Sequence, residues 1–296
     1  MPAVDVGDIT IEYERSGAGE PLLLVMGLGA QLTAWPVEFV DGLVSRGFDV
    51  IRFDNRDAGL SSRCDWQPPS PVKAFLRKLL RRPVETGYLI EDMADDAAQL
   101  LDALGVESAH VVGASMGGMI SQALAIGHPH RVRSLTSIMS NPGDGSGGVT
   151  AHVAVKFARR PEPTRDNAVD QTIRTFRTIS GPHFDEDEYR PLAEAAVARS
   201  FRPDGLARQT AAIMASPNRV PGLRGVRAPT LVIHGLFDPL VKPSGGIRTA
   251  EVVPDSRLLM FNDMGHDLPA PRIPEMLDAI ASVAARGGTA TPDVAA

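Results

Sequence analysis

The chain has 296 residues, a formal net charge of -6 at pH 7, 43% hydrophobic residues and 22% charged ones. This is ordinary globular composition, long enough for one large α/β domain or a domain with an insertion, and it excludes a disordered chain. The acidic balance excludes a phosphate backbone as the expected partner, so no nucleic acid is anticipated.

Residues 1–8 are acidic and lack an apolar signal core. No stretch approaches the ~20 apolar residues of a membrane span, so a cytoplasmic location is expected. Residues 9–14 alternate apolar and polar, as in a half-buried edge strand, and residues 21–26 form a short apolar run ending in glycine, as in a fully buried strand. A helix is expected over 36–46 and a strand over 50–53, stopping at Asp54. Cys64, the single cysteine, excludes an intrachain disulfide and reads as an incidental thiol in a polar loop. Residues 91–104 carry Met93, Ala97, Leu100, Leu101 and Leu104 at helical spacing, with Gly105 placed to end the helix. Residues 110–112 form a strand that meets Gly113. Residues 116–128 are apolar nearly all round, as in a buried helix, and 132–139 form another strand. This alternation of strand and helix predicts a mostly parallel sheet with crossover helices.

The rhythm breaks from 141 to about 223, where helical patterns and Pro/Gly breaks occur without a strong strand. It resumes with strands at 230–233 and 257–261 and a closing helix over 273–285. The expected organisation is a core of residues 1–141 and 223–296 with a helical cap, 142–222, over the carboxyl edge of the sheet, where open α/β sheets bind ligands. Residues 287–296 read as a frayed tail.

The central motif is Gly113-Ala114-Ser115-Met116-Gly117, followed by Gly118. A G-x-S-x-G pattern alone turns up by chance in roughly one chain of this length in ten. Here it follows a buried strand and opens an apolar helix, the setting a nucleophile elbow needs. Glycines flank the serine because side chains there would collide with the neighbouring strand and helix. The helix N-terminus favours the negative charge that develops during acyl transfer. A serine hydroxyl needs a base, expected in the chain order Ser, Asp or Glu, His. His266 fits, in a loop after the last strand. Asp238 fits the acid, just past the strand at 230–233, with Asp144 and Asp263 as runners-up; its role is to fix the histidine tautomer. The remaining histidines fit less well. His128 and His130 flank Pro129 at a helix end, His110 opens a strand, and His234 reads as packing or turn structure. His152 and His183 lie in the insert, either on the surface or lining a pocket. The oxyanion donors are expected to be the backbone N–H groups of Met116 and Leu28. No metal or organic cofactor is implied.

Together these stretches resemble the α/β-hydrolase superfamily over nearly the whole chain, and within it the actinobacterial group of aclacinomycin methylesterase and lipase-G-type carboxylesterases. The matching segments are LLLVMG, VIRFDNRDAGLSS, AHVVGASMGG, PTLVIHGLFDP and DMGH. The resemblance implies a mostly parallel eight-stranded sheet, and hydrolysis of a small-molecule ester, extending to lipid esters or thioesters, through an acyl-enzyme. It also marks Asp54, Arg56, Gly59 and Ser61 as structural. Met26 stands where many members have histidine, and a serine at 115 separates the chain from the dehalogenase and epoxide-hydrolase branches. Perhydrolysis of the haloperoxidase type and C–C bond hydrolysis remain open on the same triad, as does a ligand receptor on a hydrolase scaffold, because fold does not fix substrate.

One further segment lies outside that pattern. Between Pro71 and Pro83, Val72, Phe75, Leu76, Leu79 and Leu80 recur at helical spacing, beside Lys73, Arg77, Lys78, Arg81 and Arg82. Two readings stand: a helix packed on the domain with its charges solvated, or a basic amphipathic helix over residues 71–83 that makes peripheral contact with an anionic membrane. Oligomeric state is not written in the sequence.

Overall fold

The apolar runs become strands whose alternate residues are sorted onto two faces, as the period of two in extended chain requires. The computed structural model describes residues 2–70, 73–74, 77, 80 and 82–288. In β3 (Glu20–Val25), Leu23 and Val25 join one apolar cluster while Leu22 and Leu24 join the other. The same sorting holds in β5 (Ala109–Ala114), where Val111 faces one way and Val112 and Ala114 the other. A strand that is apolar on both faces must be covered on both, which is why the sheet is sandwiched between helices.

Eight strands form one sheet in the order β1-β2-β4-β3-β5-β6-β7-β8. The others are β1 (Ala3–Val6), β2 (Ile9–Gly17), β4 (Phe48–Phe53), β6 (Val132–Ile138), β7 (Thr230–Gly235) and β8 (Ser256–Phe261). β1 pairs antiparallel with β2, β2 antiparallel with β4, and all later pairs are parallel. The strand expected at the edge, 9–14, is thus second in the sheet, because the short acidic segment before it forms the true edge. α1 (Val37–Val44) and the closing α10 (Ile273–Gly287) cover one face; α2 (Ile90–Ala103) and α3 (Met116–Gly127) cover the other. α3 is buried at ten of its twelve positions, which is why its sequence shows no polar face.

Between β6 and β7 the described chain holds five helices and no strand: α4 (Ala151–Ala158), α5 (Ala168–Ile179), α6 (Glu186–Arg199), α7 (Pro203–Ala215) and α8 (Val220–Leu223). A further helix, α9 (Pro243–Val252), joins β7 to β8. α7 lies close on the loop after β4. A Cβ added to Gly205 would stand 2.1 Å from the Asp57 carbonyl oxygen, so only glycine permits that approach.

No described helix is long and apolar enough to cross a membrane. The expected basic amphipathic helix rests on Val72, Phe75, Leu76, Lys78, Leu79 and Arg81, which lie outside the described residues. Of its other cations, Lys73 and Arg77 both pair with Glu85.

Candidate active site

Ser115 sits between the end of β5 and the start of α3, with φ 57° and ψ -119°. A positive φ is costly for a non-glycine residue and persists only where the surroundings hold it. Here the Ser115 amide donates to the Ile138 carbonyl at 2.9 Å, and its own carbonyl accepts from the amides of Gly118 and Met119. The flanking glycines are needed for space. A Cβ on Gly113 would lie 2.2 Å from the Gly117 carbonyl oxygen, and one on Gly117 would lie 1.9 Å from that of Val25. The turn therefore lifts the serine side chain clear of the sheet.

The Ser115 hydroxyl lies 2.8 Å from His266 Nε2, and His266 Nδ1 lies 2.7 Å from Asp238 Oδ2. The carboxylate selects the tautomer with hydrogen on Nδ1, which leaves Nε2 free to accept the hydroxyl proton. Asp238 is buried, and its Oδ1 accepts the amides of Leu240 and Val241 at 2.9 and 2.8 Å. Burial alone would raise the pKa of this carboxyl. The imidazoles of His266 and His234 outweigh it and bring the group down to about 2. His234 Nε2 donates to the Val241 carbonyl at 2.8 Å and lies 3.4 Å from Asp238 Oδ2. His234 is thus packed behind the acid, as its turn position suggested. The runners-up for the acid are engaged elsewhere: Asp263 with Arg272 and His183, Asp144 with Arg248 and Ser146.

His266 leans on the helical insertion. Its amide donates to the Ile179 carbonyl, the last residue of α5, at 2.7 Å. Beside it, Asp267 accepts the amides of Gly265 and Gly181. The two loops touch so closely that a Cβ on Gly265 would stand 2.4 Å from the Gly181 nitrogen.

The loop after β3 passes directly over the nucleophile, since a Cβ on Gly27 would lie 3.1 Å from that of Ser115. Within this loop the Gly29 amide donates to Gln209 Oε1 at 2.8 Å and the Ala30 amide to the Gly27 carbonyl. The Leu28 and Met116 amides have no acceptor among the described residues. Both are therefore available as donors, one in the loop whose Gly27 packs on Ser115 and one directly after Ser115 in the chain.

Sequence reasoning missed the side chains that tie the insertion to this edge. Gln209, fully buried on α7, bonds both Gly29 and the Arg56 carbonyl, the latter at 2.7 Å. Its neighbour Arg208 forks onto Asp57, which also accepts from the Tyr88 hydroxyl and the Cys64 amide. Arg199 at the end of α6 reaches Asp54, whose carboxylate also takes the amides of Leu32 and Leu60. Arg56 pairs with Asp96 on α2. Asp54 and Arg56 thus act as structural residues, and Asp54 does so partly by receiving the insertion. The Cys64 thiol is pushed up to about 11, first by burial and then by Asp57, which leaves it inert rather than nucleophilic.

The model of the alpha/beta hydrolase fold family matches residues 20–270. Rhodomycin D methylesterase DnrP of Streptomyces peucetius is 29% identical over 286 residues, covering 88% of this chain and 90% of that protein. The 2-hydroxymuconate semialdehyde hydrolase of Pseudomonas sp. (strain CF600) is 29% identical over 269 residues, covering 87% and 84%. Among solved structures, the enol-lactonase from Burkholderia xenovorans LB400 superposes with a TM-score of 0.71 at 23% identity, covering 98% of this chain and 100% of that one.

Proposed function

Because the chain belongs to the alpha/beta hydrolase fold family, we propose that it hydrolyses carboxylic esters through an acyl-enzyme on Ser115, His266 and Asp238. The observation that carries this reading is the unbroken relay from Ser115 Oγ to His266 to Asp238. The relay ends on a serine held in a strained turn beside two free backbone amides.

The chemistry follows from that geometry. Ser115 Oγ attacks the ester carbonyl while His266 Nε2 takes its proton. The carbonyl oxygen becomes an oxyanion, received by the amides of Leu28 and Met116. Asp238, ionised at working pH, stabilises the imidazolium without taking its proton. The tetrahedral intermediate collapses, the ester C–O bond breaks, and His266 protonates the departing alcohol. A water molecule then gives its proton to His266 and attacks the acyl-serine; the C–Oγ bond breaks, His266 returns the proton to Ser115 Oγ, and the acid leaves. The reading is supported by the methylesterase relative. The semialdehyde-hydrolase relative supports a second reading, C–C bond hydrolysis on the same three residues.

The test is turnover of p-nitrophenyl acetate together with labelling by a fluorophosphonate. We expect labelling of Ser115 alone, and a loss in kcat on the order of 10⁶ in Ser115→Ala. Retention of a tenth of the activity in that variant would overturn the assignment. Ester turnover much slower than turnover of a vinylogous 1,5-diketone would favour the second reading.

A further inference from the structure

The insertion carries a feature that ester hydrolysis does not use. A cleft of about 340 Å³ opens between the C-terminal turn of α4 and the second half of α5, lined by Lys156, Arg159, Arg160, Arg174, Arg177 and Thr178, among others, with no carboxylate in its wall. Among the described residues only Arg177 of this set pairs with an acid, Glu186. Lys156 meets the Thr178 hydroxyl at 3.4 Å. Arg159, Arg160 and Arg174 have no acidic partner among the described residues. Elsewhere this net-acidic chain couples arginine to carboxylate again and again, as in Arg15–Asp49, Arg52–Glu14, Arg56–Asp96 and Arg272–Asp263.

Like charges gathered on one wall repel, and pairs one turn apart on a helix, such as Arg174 and Arg177 on α5, weaken it. The C-terminal dipole of α4 offsets part of that cost for the cations at its own end. It does nothing for Arg174, which stands mid-helix on α5 and faces the same cleft. Arg160 is half-buried and its guanidinium lies 3.7 Å above the Phe157 ring. That stacking fixes the plane of the fork and leaves its N–H edge free. Burial also lowers the pKa of Arg160, with no neighbouring acid to restore it.

We propose that this cleft is a binding site for a phosphate group, held by Arg159, Arg160 and Arg174 with Lys156 at its rim. Guanidinium forks match the spacing of phosphate oxygens, and a dianion cancels the repulsion among several cations at once. The cleft is separate from Ser115, though α5 lines it and ends at Ile179, the residue that receives the His266 amide. The phosphate belongs either to a free phosphorylated compound or to a lipid headgroup; the chemistry of recognition is the same.

The experiment uses the full chain and two probes. Pyrophosphate is titrated by calorimetry at low ionic strength, and vesicles of phosphatidylglycerol or of phosphatidylcholine are co-sedimented with the protein. We expect saturable pyrophosphate binding, weakened about tenfold or more in the Arg160→Gln, Arg174→Gln double variant. The melting temperature and p-nitrophenyl acetate turnover of that variant are expected to be unchanged without ligand. Co-sedimentation with phosphatidylglycerol alone, lost in the same variant, assigns the phosphate to a headgroup. Pyrophosphate binding without vesicle binding assigns it to a free compound. No saturable pyrophosphate binding, or equal binding by the variant, would overturn the proposal. Because binding is read directly, failure here leaves the ester reading standing, and the reverse.

Discussion

Asp54, Asp57 and Asp238 lie buried at the carboxyl edge of the sheet, each with amides, hydroxyls or cations in place, whereas Arg159 and Arg174 stand exposed on the outer face of the insertion, with no counter-charge among the described residues. The difference is one of dielectric. A buried charge survives only with its partners, so at the inner edge each pair fixes a position. An exposed charge is solvated at little cost and fixes nothing, so it is free to meet a ligand. The same residue types serve as fasteners in one place and as bait in the other.

The sharpest way to break this comparison is Asp57→Ala. It takes the buried carboxylate from the Arg208 guanidinium, whose side chain is only 2% exposed and which would keep only Asp204, itself 32% exposed, as an acidic partner, and it removes the acceptor of Tyr88 and Cys64. We expect a loss of about 3–5 kcal/mol in denaturant unfolding; a loss under about 1 kcal/mol would mean the pair fastens nothing. Next comes pH. Asp238 is held at about 2 against an ordinary 3.8. Its folded pKa is depressed, so its contribution is complete above 3.8 and disappears as pH falls through about 2. That contribution is on the order of 2 kcal/mol. Unfolding measured from about pH 5 down to about pH 2 should show a steeper loss in the native protein than in Asp238→Asn. Equal slopes would show that the fastening lies elsewhere.

A smaller effect is expected from Gln209→Leu, which leaves the Gly29 amide and the Arg56 carbonyl without partners. We expect about 1–2 kcal/mol lost. If Gln209 holds the oxyanion loop in place, kcat should fall about tenfold at nearly constant KM, since only the transition state feels the misplaced donor. A rise in KM alone would assign Gln209 to substrate binding. The smallest effect belongs to the outer face, where Arg174→Gln should shift stability by no more than about 0.5 kcal/mol. A large loss there would erase the distinction between the two regions.

Much of this could be read from the sequence where the signal was local. The buried strands showed as apolar runs, and α3 showed as a helix without a polar face. Ser115 was marked by its glycines, and Asp238 and His266 by their places after β7 and β8. Two elements escaped for local reasons. β1 is four residues long and acidic at one of them, too short to show a period. α9 contains Gly245 and Gly246, which weaken helical character. The pairing of Arg208 and Gln209 with loops about 150 residues earlier left no local mark, because nothing in an arginine or a glutamine names its distant partner. The clustering of Arg160 and Arg174 was hidden for the same reason, since it exists only once α4 and α5 lie side by side.

The anchorage of His266 bears on how such a protein changes over generations. Its amide hangs on the Ile179 carbonyl, and its loop crosses Gly181 at a glycine pair too tight for side chains. The segment between β6 and β7 is therefore not a detachable lid. A graft that replaced residues 139–229 with the matching stretch of a relative would have to bring a carbonyl at the place of Ile179 and a glycine at the place of Gly181. Without them the imidazole would start each cycle displaced from the serine. On the proposed mechanism, new specificity cannot be inherited here without also inheriting, or rebuilding, the seat of the base.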